Sequence, residues 1–449
     1  MQFQISAELM EQIKHLIEIE GDDQLHDMLS EIHFADFAEI LSELSLSKAT
    51  YLVKLLDSEK TSEALMELEE DFRERILENL SVKEIAEELE EMDTDDAADV
   101  VAELPDEIVE EVIAKIEDEK HAEDIKELLA YDEDTAGGLM AKELVKVKET
   151  WTVAGCVREM RRQAENVTRV HSIYVTDKEG KLKGRLSLKD LLTASAKTSI
   201  SEVYIPKVDY VSVDTEGEEV ARVMQKYDLE AIPVVDHEGV LVGRVTIDDM
   251  VDFIKEEAEK DYQMAAGISQ DVEADDSVWE LTRARLPWLI LGLFGGLGSV
   301  FIMEGFEEAL SKYKELFFFT PLIAAMAGNV GVQSSAIIVQ GLANDNVKGS
   351  LFNRLLKEIG LSLISGVTLG ILVILFGFVD GMDLLFSFTI AISLLCVIIV
   401  AALIGTFVPI ILDKQGIDPA IATGPFITTS NDIFGIFLFF YLAKVILGF

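Results

Sequence analysis

Residues 424–440 read GPFITTSNDIFGIFLFF. Almost every side chain in this run would be at home in lipid, yet Asp432 stands in its middle. A carboxylate at the centre of a membrane helix costs about 2.5–3.5 kcal/mol on insertion scales. A chain keeps such a residue where it lines a cavity or an ion path, so Asp432 is read as functional rather than as packing glue between helices. Its surroundings support this. Gly424-Pro425 interrupts helical hydrogen bonding, which is expected to free backbone carbonyls. Thr428, Thr429, Ser430 and Asn431 add oxygen atoms. Broken helices at membrane depth are tolerated where they border a wet cavity.

Working outward, apolar runs at 286–303, 316–342, 359–379, 384–412 and 419–447 each approach or exceed the roughly 20 residues needed to cross a bilayer. By these boundaries Asp432 is the one acidic residue inside a span, with Glu304, Asp413 and Asp418 at ends or in loops. The second run carries another polar island, PLIAAMAGNVGVQSSA (321–336). There Asn329, Gln333, Ser334 and Ser335 alternate with the small Ala327, Gly328 and Gly331, a pattern that suggests a lining. In the first run Gly292, Gly296 and Gly298 read as close-packing positions. The donor atoms are all oxygen, and the six histidines are scattered outside the spans. Oxygen-only ligation favours hard cations. One carboxylate among neutral oxygens suits Mg²⁺, which keeps several waters and binds through one or two carboxylates; two copies around an axis would supply that number.

The chain of 449 residues has a formal charge of −45 although 49% of it is hydrophobic. A chain divided near residue 280 accounts for both, because residues 280–449 carry −3 and the rest −42. Nucleic acid is excluded as a partner, since its phosphates would be repelled; cations or basic proteins are the natural counterparts. Cys156 and Cys396 fall in different domains and imply neither a disulfide nor a thiolate site. The opening MQFQISAELMEQIKHLIEIE is an amphipathic acidic helix without the regions of a signal peptide. A cytoplasmic N-terminal part follows. With it, Arg283, Arg285, Lys348, Arg354, Lys357 and Lys414 fall inside and only Lys312 and Lys314 in outer loops, with Lys444 near the far end of the last span, as the positive-inside rule requires.

Residues 1–130 are helix-patterned. FAEILSELS (37–45), IAEELEEMD (85–93) and AADVVAELP (97–105) share an apolar face with acidic residues opposite, the pattern of short stacked helices. A second repeat is clearer. DKEGKLKGRLSLKDLL (177–192) recurs as DHEGVLVGRVTIDDMV (236–251). Each copy reads as strand, glycine turn, strand and a helix capped near Ser187 or Thr246. Over about 137–256 these two βαββα units resemble a tandem CBS pair. That resemblance implies an adenine-nucleotide site, ATP included, for which Asp190, Thr246 and Asp249 are the candidates.

The whole chain resembles the MgtE family of magnesium channels. The motifs are LLAYDEDTAGGLM (128–140), PLIAAMAGNVGVQSS in span two and DPAIATGPFITTSNDIFG (418–435). The expected fold is multidomain: an all-α superhelical domain (1–130), an α+β CBS pair (131–199 and 200–256), a connecting helix and linker (257–280), and an α-helical transmembrane domain with five spans (281–449). The resemblance implies a homodimer in the cell membrane, in contact with lipid, whose pore is lined by spans two and five and closes when internal Mg²⁺ is high. It assigns Asp432 to the pore, with Asn329 in the span-two motif. For regulatory metal it implies Glu63, Asp95 and Asp99, then Glu216, Glu218 and Asp228. Asp249, Asp252, Glu257 and Asp261 follow along the connecting helix, and Asp418 near the membrane. Lys260 stands where an acidic residue would be expected. Independently, Asp249, Asp252 and Glu256 share a helical face. Repulsion within a part carrying −42 opposes compaction, and bridging cations relieve it. Such exposed oxygen sites bind at about 10⁻⁴–10⁻³ M. The other readings are a carrier that also moves Co²⁺ or Mn²⁺, and a membrane-anchored CBS sensor without conduction. No P-loop, nucleophile–base pair or His-rich metal set points to an enzyme.

Overall fold

The computed structural model describes residues 5–163, 170, 172–270, 272, 274, 276–343, 350–422 and 424–448. They form two compact units, Met1–Ile254 and Lys255–Phe449.

The first unit opens with ten short helices. These are α1 (Ala7–Glu18), α2 (Asp22–Leu29), α3 (Phe34–Ser42), α4 (Leu46–Leu55) and α5 (Ser58–Met66). Then come α6 (Glu70–Leu77), α7 (Val82–Glu91), α8 (Thr94–Glu103), α9 (Asp106–Ile113) and α10 (Glu119–Leu128). Side-chain caps explain several of the starts. Ser6, Ser81 and Asp118 each accept hydrogen bonds from first-turn amides, and Glu84 returns the bond to complete a capping box at Ser81. The three look-alike runs lie in and just beyond α3, α7 and α8. Their apolar faces, for example Ile85 and Leu89 or Val100 and Val101, are fully buried. Polar groups also cross this stack. Arg73 pairs with Glu103 and donates to the Leu65, Met66 and Leu68 carbonyls. Glu88 is buried under Thr61, whose hydroxyl is 2.7 Å from Oε2, and burial pushes its carboxyl up to about 8.

The CBS repeat follows as β1 (Val145–Lys148), α11 (Val153–Gln163), β2 (Ile173–Thr176), β3 (Leu182–Leu186) and α12 (Leu188–Thr193). Its second copy is β4 (Val211–Ser212), α13 (Gly217–Tyr227), β5 (Ala231–Val235), β6 (Leu241–Thr246) and α14 (Ile247–Ala266). Each makes a three-stranded sheet whose first pair is parallel and second antiparallel. The turn glycines Gly180 and Gly239 have φ of +86° and +82°, a region open to glycine and costly to other residues. The second copy departs from the first at its end. Where α12 stops at Thr193, α14 continues to Ala266, so the connecting helix begins as the last helix of the second CBS unit. The core is shared unequally. The helical domain and the second CBS unit bury one continuous cluster that reaches Phe253, whereas the first unit keeps its own around Val145, Cys156 and Ile173.

The second unit holds α15 (Val278–Glu304), α16 (Glu307–Lys312), α17 (Glu315–Ala343), α18 (Leu351–Val379), α19 (Leu384–Lys414) and α20 (Pro425–Leu447). All but α16 are long and apolar enough to span a membrane. Helices α17, α19 and α20 pack mutually, with α18 on α19 and α15 on α20. The last span differs from expectation. Residues 419–422 form a separate 3₁₀ turn, and α20 begins at Pro425, where proline suits the first helical position. The Gly424 carbonyl accepts from the Thr428 amide and hydroxyl, both at 3.2 Å, so it is not a free ligand. Lys348 lies outside the described residues.

Candidate ion site and cytoplasmic carboxylate cluster

Asp432 is half-buried on α20, facing a bare stretch of α17. A Cβ added to Gly328 would lie 3.7 Å from Asp432 Oδ1, so the missing side chain gives the carboxylate its room. One turn along, the Asn431 amide occupies the space where Gly331 lacks a side chain, and Gly405 of α19 touches the Gly331 carbonyl from another side. Asn431 is 1% exposed, and neither amide atom has a hydrogen-bond partner among the described residues. It is therefore a wedge between helices and not the ligand beside Asp432 that its position in sequence suggested. A Gly331→Ala substitution drives a methyl into that amide. Overpacking costs about 1–3 kcal/mol, so the melting temperature in detergent should fall, and adding Asn431→Ala should restore part of it, the contact with Ile427 remaining.

Asn329 and Gln333 are exposed along one stripe of α17 with Ala325 and Ala336. Amides on a membrane helix face a bundle interior or water rather than lipid, so this stripe marks the open side of the single chain. Two expectations need correction. Among the described residues Gly292 and Gly296 meet nothing within 4 Å; it is Gly295, packed on Thr429, that brings α15 against α20, with Gly298 near Ile433. And α18 begins at Leu351, so Glu358 lies inside the third spanning helix, one residue outside the boundary drawn from hydropathy. Its Oε1 accepts from the Ser334 hydroxyl at 2.6 Å. Asp418 caps the 3₁₀ turn by accepting from the Ala420 amide at 2.7 Å. The residues closing α14 pack against the start of α20: a Cβ on Gly267 would overlap Pro425. Ser269 also donates through its amide to the Ala284 carbonyl of α15 at 3.0 Å.

The second site is in the cytoplasmic unit. The N-terminus of α8 brings Asp93, Asp95 and Asp96; the segment 141–143 brings Glu143; the β6–α14 turn brings Asp249. Two ladder bonds between Ala141 and Arg244 hold the segment to β6 at 2.8 and 3.0 Å. Thr94 ties it to α8, donating its hydroxyl to Glu143 at 2.8 Å and accepting from the Lys142 amide at 2.9 Å. Carboxylate oxygens of Asp93, Asp95 and Glu143 then lie within 4.8 Å of one another. Asp95 is buried, with Oδ1 lacking a hydrogen-bond partner among the described residues. Burial, with Glu143 close by, pushes Asp93 up to about 6. Burial, with Asp249 close by, pushes Asp96 to about 8. Asp95 and Asp249 are raised for the same first reason, burial. The positive ends of α8 and α14 offset part of this repulsion. An orphaned buried carboxylate oxygen amid like charges is the donor set a hard divalent cation fits.

Each of these carboxyls is protonated more readily folded than unfolded. The stability they contribute is thus full below about 4 and is lost as pH rises through about 6 to about 8. Mg²⁺ competes with those protons. Its stabilisation of the cytoplasmic unit, read as a shift in melting temperature, should be larger at pH 8 than at pH 6; equal shifts would count against this cluster.

The other expected ligands are spread out. Glu63 on α5 and Asp99 on α8 are exposed, Asp99 near enough to raise Asp96. Glu216 and Asp228 flank the two ends of α13, about 18 Å apart at 1.5 Å per residue, so they do not share a site with each other; Glu218 is exposed near the first. Along α14, Asp252 and Asp261 are exposed and Glu257 pairs with Lys260 at 2.9 Å. Of the nucleotide candidates, Asp190 accepts from Ser187 at 2.6 Å and Asp249 from Thr246 at 2.5 Å, both as helix caps.

Residues 32–134 match the MgtE intracellular N domain, 136–197 and 200–256 the CBS domain, and 320–442 the MgtE divalent cation transporter domain. The magnesium transporter MgtE of Thermus thermophilus is 38% identical over 323 residues, which cover 71% of this chain and 72% of that one. The chain belongs to the MgtE family. The MgtE of Enterococcus faecalis is 36% identical over 71% of this chain and 70% of its own length. The ATP-bound cytosolic domain of the Mg²⁺ channel MgtE matches with a TM-score of 0.52 at 38% identity, covering 55% of this chain and all of that one. Like other MgtE proteins, this is a multi-pass membrane protein with a cytoplasmic N-terminal part, and a transporter rather than an enzyme.

Proposed function

We propose that this MgtE protein is a magnesium channel: Asp432 of two copies holds hydrated Mg²⁺, and the cytoplasmic carboxylates close the pore when internal Mg²⁺ is abundant. The observation that carries the first part is the half-buried Asp432 in the notch of Gly328, beside an exposed amide stripe that lipid would not accept. A second copy facing that stripe would cover it, which is the reason for reading the protein as a homodimer. The cluster of Asp93, Asp95, Asp96, Glu143 and Asp249 carries the second part, because it joins the helical domain to the second CBS unit through groups that repel until a cation arrives. The ligands named in the sequence contribute as secondary sites: Asp99 at its rim, and Glu63, Glu216, Glu218, Asp228, Asp252, Glu257, Asp261 and Asp418 as separate weak points. The packing of residues 265–269 on α15 and α20 gives α14 a lever on the pore helix. ATP binding at the CBS pair is proposed from the ATP complex of the similar cytosolic domain.

Uptake of Mg²⁺ into liposomes containing the purified protein tests transport. X-ray scattering across millimolar Mg²⁺ tests gating: the cytoplasmic part should compact, and an unchanged radius would remove the gating claim.

A further inference from the structure

Several hydroxyls in the spanning helices bond within their own helix. Ser299 donates to the Gly295 carbonyl, Thr320 to Leu316, Thr368 to Ile364 and Thr389 to Leu385, each four residues back on its own helix. Ser334 does not. It is 5% exposed and donates instead across to Glu358 of α18, at 2.6 Å. A serine needs no carboxylate to be satisfied in a helix, because the carbonyl four residues back is within its reach. The pair is therefore a link between helices.

The link acts on the helix that carries the lining amides. At 100° per residue, Ser334 lies about 140° around α17 from Asn329. The Gly328–Gly331 side, gripped by α20 and α19, lies beyond it. Contacts on these two adjoining faces leave Asn329 and Gln333 as the open edge.

We propose that Glu358 is a positioning residue for ion passage: from α18 it holds Ser334 of α17 and so sets the rotation of the Asn329–Gln333 stripe relative to Asp432. This rests on the channel reading, but the clamp itself can be read without transport. In a chain with Cys156 and Cys396 replaced by serine, Gln333→Cys reports the stripe through its rate of reaction with a membrane-impermeant maleimide. Interhelical hydrogen bonds of this kind shift equilibria by about threefold on average. Ser334→Ala and Glu358→Ala should each change the rate by about that factor, the double variant no further, and Glu358→Gln, which keeps an acceptor, should leave it near its starting value.

Unchanged rates in both alanine variants, or additive changes in the double variant, overturn the proposal. So does Glu358→Gln behaving like Glu358→Ala, which would make the charge itself the functional element. If Glu358→Ala does not assemble, Ser334→Ala and Glu358→Gln still decide. In liposomes the same ranking should hold for Mg²⁺ flux. A parent protein that labels as expected but carries no Mg²⁺ would strike the channel reading alone.

Discussion

Replacing Asp432 by alanine is expected to abolish Mg²⁺ uptake into liposomes while leaving the protein folded and its oligomeric state unchanged. Among the described residues the carboxylate makes no hydrogen bond that the packing of α20 depends on, and it sits where Gly328 gives it space rather than support. Two unit charges 4 Å apart interact by about 4 kcal/mol at an effective dielectric of 20. Even with an intervening water, loss of that term from a doubly charged ion should cost at least about a hundredfold in flux. Asp432→Asn should fail almost as badly, because the amide keeps the shape and loses the charge. Equal uptake in wild type and Asp432→Ala would return the residue to a packing role and move the search for the selectivity element to Asn329 and Gln333.

The second large effect concerns closure. Asp95→Asn with Asp249→Asn removes two carboxylates from the cytoplasmic cluster but keeps their shapes, so the folded unit should be stabilised without metal while losing its reason to bind it. The Mg²⁺ concentration that half-closes the channel should rise at least about tenfold, from the weak range of about 10⁻⁴–10⁻³ M typical of loose oxygen sites. Patch recordings from spheroplasts with Mg²⁺ varied on the cytoplasmic side give that midpoint directly. A midpoint left in place would transfer closure to the separate carboxylates along α13 and α14.

The order of parts in this chain was legible because each part writes its period plainly. Five long apolar runs, a repeat with glycines at matching turns, and a string of capped amphipathic helices leave little choice of architecture. Asp432 was legible for a different reason: its cost in lipid made it conspicuous. The rest of the two sites was hidden by causes that can be named. Glu358 lost its place in span three to a boundary drawn at residue 359, where hydropathy faded, rather than at Leu351, where the helix capped by Ser350 begins. Asn431 looked like a ligand because it adjoins Asp432, but one residue along a helix turns the side chain 100°, here into the Gly331 notch. Glu143 carries no local signal at all. It lies in a connecting segment and becomes a neighbour of Asp93 and Asp95 only through the pairing of Ala141 with Arg244. Asp93 and Asp96 stood in view in the run DTDD, yet sequence does not tell which of several acidic residues at a helix start will be buried.

The unequal sharing of the core bears on how the chain is made. The helical domain ends its last helix at Leu128, but the apolar cluster it belongs to is not complete until Phe253. At roughly 5–20 residues per second of synthesis, part of its apolar surface stays uncovered for about ten seconds, while the first CBS unit emerges and can close on its own core. The ribosome therefore delivers a module with a core of its own between two halves that need each other, and the newborn chain is most open to mispairing before its membrane segments have appeared.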